Sequence, residues 1–155
     1  MYKEKHNLIG KLDIAIYDSL KNSYKHLQVK NLITTKGKET LAKHFINNIS
    51  GALTFHIAVG TGSTAAQEAD TALETQVQEV TATASYVEGA LTPSIRVEAE
   101  IPALAEGEAT QLLTEAGIKL GIEGQADKVL YNHVIFPVVS HTQSTTLSFA
   151  WDISF

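Results

Sequence analysis

The sequence predicts a mainly β domain: an antiparallel β-sandwich with an N-terminal hairpin and one or two short helices. Three observations lead there. Apolar residues recur at every second position in one segment after another, the period of a strand with one buried face. These segments are short and separated by turns rich in Gly, Pro, Asn and Ser, the spacing of an all-β domain. Leu147, Phe149, Trp151, Ile153 and Phe155 alternate with Ser148, Ala150, Asp152 and Ser154 at the end of the chain. A strand with five apolar residues on one face needs a sheet to receive it, so it is expected in the core.

Composition fits one such domain. At 155 residues and 44% hydrophobic, the chain can bury roughly 68–70% of its unfolded surface. The expected organisation is an N-terminal arm over residues 1–9 and a single sandwich domain over residues 10–155. The sequence has no cysteine, which excludes disulfides, thiolate metal sites and cysteine nucleophiles. The longest apolar run, Val134 to Val139, is interrupted by Pro137 and falls far short of a membrane span. The opening MYKEKHNLIGKLDIAIY carries charges within its apolar part, against a signal peptide. No membrane partner is expected.

The net charge of −5 is unevenly spread. Residues 1–48 hold nine lysines against Glu4, Asp13, Asp18 and Glu39, or +5; residues 49–155 hold Arg96, Lys119 and Lys128 against thirteen acids, or −10. A basic end and an acidic body can attract each other between copies, or simply form a solvated surface. The lysines are not interleaved with aromatic residues and there is one arginine, so no nucleic-acid partner is expected.

In order, Gly10 to Tyr17 alternates as a strand, Asp18-Ser19 and Asn22-Ser23 supply turn chemistry, and Tyr24 to Ile33 forms the return strand, with Leu27 and Val29 on one face. A loop of about five residues is expected between them. Thr35 reads as the N-cap of a helix on which Leu41, Phe45 and Ile46 share the core-facing side, and Asn47, Asn48, Ser50 and Gly51 end it. Phe55, Ile57 and Val59 then define a strand broken by Gly60-Thr61-Gly62. Thr64 with Gln67, and Thr71 with Glu74, fit capping boxes, so one or two helical turns are expected there, with Leu73 and Val77 facing the core. Val80 to Tyr86 and Ile95 to Ile101 alternate as strands. Glu108 to Leu120 reads either as a short helix on Leu112, Leu113 and Ala116, or as a strand with a bulge near Thr114 and Gly117. Val129 to Phe136 is apolar on both faces, as in a central strand.

Gly60-Thr61-Gly62-Ser63-Thr64-Ala65 fits G-x-G-x-x-[G/A] after a strand, the form of a dinucleotide-binding turn. That turn needs a parallel sheet with alternating helices, whereas the chain beyond residue 78 reads as strands. The alternative is a structural corner. Ser63 lacks the G-x-S-x-G frame of a hydrolase elbow. His6, His26, His44, His56, His133 and His141 show no H-x-x-x-H or H-x-H spacing and read as surface or partly buried residues, not zinc ligands. Glu98 and Glu100 share the polar face of a strand, where carboxylates are ordinarily solvated. Trp151 reads as core, not as a sugar platform. No catalytic, cofactor-binding or metal residue is assigned.

The segments KNLITTKGKETLAKHFIN, FHIAVGTGSTAAQEADTALETQV, LLTEAGIKLG and NHVIFPVVSHTQSTTLSFAWDISF resemble a family of small virion proteins of tailed bacteriophages, grouped as tail-fibre, neck or collar components. The resemblance lies in Asn31 to Gly37, Ile57 to Gly62, Asp70 to Leu73, Thr114 to Gly117 and Thr145 to Phe155, and covers roughly residues 10–155. The proline usual after the Gly-Thr-Gly loop is replaced by Ala65-Ala66-Gln67. The resemblance implies a non-enzymatic structural component of the virion, assembled in the host cytoplasm, without cofactors. Its expected partners are copies of itself, with a trimer favoured, and other head–tail or tail proteins. The alternatives are a receptor- or glycan-binding fibre-tip module and a small nucleotide-binding enzyme using Gly60 to Ala65.

Overall fold

The computed structural model describes residues 8–155. Nine strands and one helix follow in the order β1 (Ile9–Asp18), β2 (Ser23–Ile33), α1 (Thr35–Phe45), β3 (Leu53–Gly60), β4 (Gln76–Tyr86), β5 (Ser94–Ile101), β6 (Gln111–Ile122), β7 (Val129–Leu130), β8 (Asn132–His141) and β9 (Thr145–Ser154). All strand pairings are antiparallel. The chain is thus mainly β, with the hairpin and the helix where the sequence places them.

The strands do not divide into two separate sheets. They run in the order β3-β4-β5-β9-β1-β2-β8-β6, and β6 pairs back onto β3, closing an eight-stranded barrel with β7 as a short addition on β6. Closure rests on a ladder that alternation alone does not specify, Leu53↔Ile122 through Gly60↔Glu115. The seam between β2 and β8 is far shorter, with two register pairs, Leu32↔His133 and Ile33↔Asn132.

Alternation decides which side chains enter the barrel. Leu12 and Ile14 of β1, Ile57 and Val59 of β3, Val97 and Ile101 of β5, and Leu147, Phe149, Trp151 and Ile153 of β9 are buried in one core. Trp151 is fully buried and donates from Nε1 to Asn31 Oδ1 at 3.0 Å. Phe155 falls beyond β9 and is half exposed; among the described residues β1 and β5 begin at Ile9 and Ser94, the partners of Ser154. On the outer surface, Arg96 and Asp152, opposite each other on β5 and β9, form a two-pronged ion pair at 2.7 and 2.9 Å.

Several expectations need correction. The first hairpin loop has four residues, Ser19 to Asn22. The helix N-cap is Thr34, whose Oγ1 accepts from Gly37 N and donates to Leu130 O. The first turn of α1 is thereby docked on the barrel, and its far end overhangs. Gly37 and Thr40 are buried, whereas Phe45 and Ile46 are 91% and 70% exposed instead of facing the core. No helix forms between Thr61 and Thr75; the Glu74 carboxylate expected to close a capping box accepts instead from Ser63 N and Thr64 N. Leu73 is buried, but Val77 is largely exposed. Val129 to Phe136 is broken at Tyr131, because Asn132 Oδ1 takes the Ile118 N–H in place of a backbone carbonyl. Of the arm expected at residues 1–9, Ile9 belongs to β1 and residues 1–7 lie outside the described part.

Candidate functional site

The segment Thr61–Thr75 leaves β3, folds over the outside of the barrel and returns to β4. It covers Ala58, which packs with Leu73 and Leu130 in a small cluster apart from the main core. This explains why both faces of β3 are buried toward its end.

Glu115 holds the segment down. On β6, Leu113 and Ala116 both belong to the core although they are three residues apart. The alternation therefore slips between them, and the register with β8 shifts between Leu113 and Glu115. The strand-with-bulge reading of Glu108 to Leu120 is the one realised, except that the extra residues lie on β8, around Pro137, which has no N–H to offer a ladder. The slip turns both Thr114 and Glu115 toward the covering segment. Thr114 Oγ1 donates to Gly62 O at 2.6 Å.

Each oxygen of the fully buried Glu115 carboxylate receives two donors. Oε1 accepts from Gly62 N at 3.0 Å and Thr75 N at 2.7 Å; Oε2 accepts from Glu74 N at 3.0 Å and His133 Nε2 at 2.9 Å. His133, itself buried, also contacts Asp70 Oδ2 through Nδ1 at 2.7 Å. The imidazole of His133 thus bridges the carboxyl groups of Glu115 and Asp70. Asp70 closes a tight turn by accepting from Gln67 N. Burial pulls the Asp70 carboxyl upward, but the Gln67 N–H and His133 outweigh it and hold the group below its usual range.

Glu74 completes the arrangement by accepting from Ser63 N at 2.9 Å and Thr64 N at 2.8 Å. The Thr64 and Ser63 N–H groups lower its pKa from the usual carboxylate value. The Gly60 to Ala65 turn thus does bind an anion through its backbone, as a phosphate loop would, and the anion is the chain's own. Thr61 N is also occupied, by Thr75 O. The glycines are required by close approach: a Cβ on Gly60 would lie 2.3 Å from Thr75 O, and one on Gly62 2.5 Å from Glu74 Cβ.

Sequence reasoning singled out the glycines but missed Asp70, Glu74, Glu115 and His133 as partners. The available signal was a glutamate inside the apolar run LLTEAGIKLGI, an expensive place for a charge without dedicated partners. The other candidate residues do not converge on this place. Glu98 and Glu100 are exposed on β5. His26 pairs with Asp13 at the surface, and His56 lies near Glu79. His141, like His133, is more deeply buried than expected and contacts Pro102 O at 2.8 Å. His6 lies outside the described residues, among which no group of three or more His, Cys, Asp or Glu residues is placed to hold a metal ion.

No protein-family model matches the chain, and no curated protein or solved structure matches it either.

Proposed function

We propose that the chain is a non-enzymatic structural component of a tailed-phage particle, an adaptor or decoration of the neck, collar or tail. It would be assembled in the host cytoplasm with copies of itself, a trimer being favoured, and with neighbouring head–tail or tail proteins. The observation that carries this reading is the use made of the resembling residues. Gly62, Asp70 and Glu115, from two of the quoted segments, meet with His133 in one clamp whose donors and acceptors are spent on each other. Such a site supports rigidity, not turnover.

The same geometry weighs against the nucleotide reading, because the Gly62, Ser63 and Thr64 amides already hold Glu115 and Glu74. The fibre-tip reading loses its one tryptophan to the core. With it goes the finer fold proposal: a barrel nearly open between β2 and β8 is read as a flattened, two-layered, sandwich-like body.

The test is to purify phage particles from the host that produces the chain, then to quantify it by mass spectrometry and locate it by antibody labelling. A fixed copy number at the neck or tail is expected. Particles free of the chain, with the chain left in the cleared lysate, would overturn the proposal.

A further inference from the structure

The strand registers define two ends of the barrel. Ile9, Ser94 and Ser154 are aligned at one end; Asp18, Thr145, Leu147 and Ile101 mark the other. Each end presents exposed apolar side chains. At the first, Phe45 and Phe155 border a groove of about 370 Å³ with Leu8, Leu41 and Ala42. At the second, Leu20, 85% exposed, sits beside a shallow hollow of about 440 Å³ formed with Glu108, Thr110 and Gln143.

The charges around these features differ in sign. Lys38 lines the groove, and on the same helix Lys36, Lys38 and Lys43 outnumber Glu39 and Glu68, with which they pair. Glu106 and Glu108 are exposed in the loop that carries the hollow, where Gln143 reaches Glu108 O, and with Asp18 they outnumber Lys21, which follows Leu20 and pairs with Asp18. Two copies meeting through their grooves would bring lysines against lysines. A groove meeting a hollow brings lysines against glutamates.

We infer that the Phe45–Phe155 groove is a docking surface for a second copy of this chain, which enters with its Leu20 end, so that copies join head to tail. The inference rests on the self-assembly part of the function proposed above and names the surfaces that would carry it. In a head-to-tail contact the two patches are different, so the assembly propagates until it closes into a ring or runs on as a filament. Apolar contact at Phe45 and Leu20 supplies affinity, and the surrounding charges select the partner end.

The test uses the full chain and two variants, Phe45→Asp and Leu20→Asp. Both side chains are solvent-exposed, so thermal unfolding should match the wild type in each. In sedimentation equilibrium the wild type is expected above its monomer mass of 16.8 kDa, and each variant alone is expected as a monomer. Mixed one to one, the variants should form a dimer, since each retains the end the other lacks, and association should weaken at high salt. A monomeric wild type at every concentration would overturn the inference. So would self-association of Leu20→Asp equal to the wild type, or a mixture that stays monomeric. Detection of the chain in particles is a separate measurement, so the virion reading can stand while this surface fails.

Discussion

The amide of Gly62 donates to Glu115 Oε1 at 3.0 Å, and a methyl group on Gly62 would stand 2.6 Å from that same oxygen. The contact that anchors the loop thus excludes every side chain but hydrogen at this position. Gly62→Ala is expected to cost about 1–3 kcal/mol through overpacking, and Gly62→Val more. Urea unfolding measures this. Unchanged stability, or wild-type affinity for ATP or NAD that the substitution abolishes in a folded protein, would contradict the structural role.

Glu115→Gln removes one charge and almost no volume. Because each carboxylate oxygen receives two donors, either orientation of the new amide points an NH2 group at N–H donors. The expected loss is about 2–4 kcal/mol, the range for leaving buried, charge-assisted hydrogen bonds unmade. Amide exchange should accelerate first at Gly62, Glu74 and Thr75. Protection at those three amides equal to the wild type would show that the clamp does not hold the loop.

Glu79 on β4 lies between Lys119 of β6 and Lys128, with His56 of β3 nearby at 3.8 Å. Burial pulls its carboxyl upward, but the two lysines together hold it down at about 2, against an ordinary 4.5. The group is depressed in the folded state. Its stabilising contribution is therefore complete above pH 4.5 and lost as pH falls toward 2. The stability difference between wild type and Glu79→Gln should be about 1–3 kcal/mol at neutral pH after screening, and should vanish at the acid end. A difference that does not change across this window would refute the assignment.

Trp151→Ala should destabilise the barrel by about 3–5 kcal/mol, since the side chain is fully buried. Trp151→Phe keeps most of the volume but strands Asn31 Oδ1, whose bond to Nε1 is lost; about 1–2 kcal/mol is expected. Denaturant midpoints of the two variants separate packing from hydrogen bonding. A Trp151→Phe variant as stable as the wild type would mean that the Asn31 contact contributes nothing.

Period-two alternation made most strands legible, and β1, β5 and β9 were found within a residue or two of their limits. Closure of the barrel was not legible, because the β3–β6 ladder joins residues more than fifty apart and nothing local encodes it. Helical spacing placed α1 correctly and gave Leu41 its place against the core, but it also gave Phe45 and Ile46 a core to face, whereas the helix docks through Thr34, Gly37, Thr40 and Leu41 and its last turn is exposed. The capping-box pattern at Thr71 and Glu74 was real chemistry with another target. Glu74 does bind backbone N–H groups, but those of Ser63 and Thr64, eleven and ten residues back. Asp70, Glu115 and His133 were hidden for the same reason: their meaning lies in contacts between distant stretches.

The two-rung junction between β2 and β8 makes the barrel mechanically unequal around its girth. Every other seam must break several ladder bonds to part, whereas this one acts as a hem held by a short stitch. Thermal breathing will favour this line. Water reaching the interior by that route meets the Ile16 side of the core first, where a cleft of about 290 Å³ already runs between β2 and β8. Mechanical or thermal failure of the fold should therefore begin as an unrolling, with the β1–β2 hairpin swinging on β9 while the clamped loop at Glu115 stays closed.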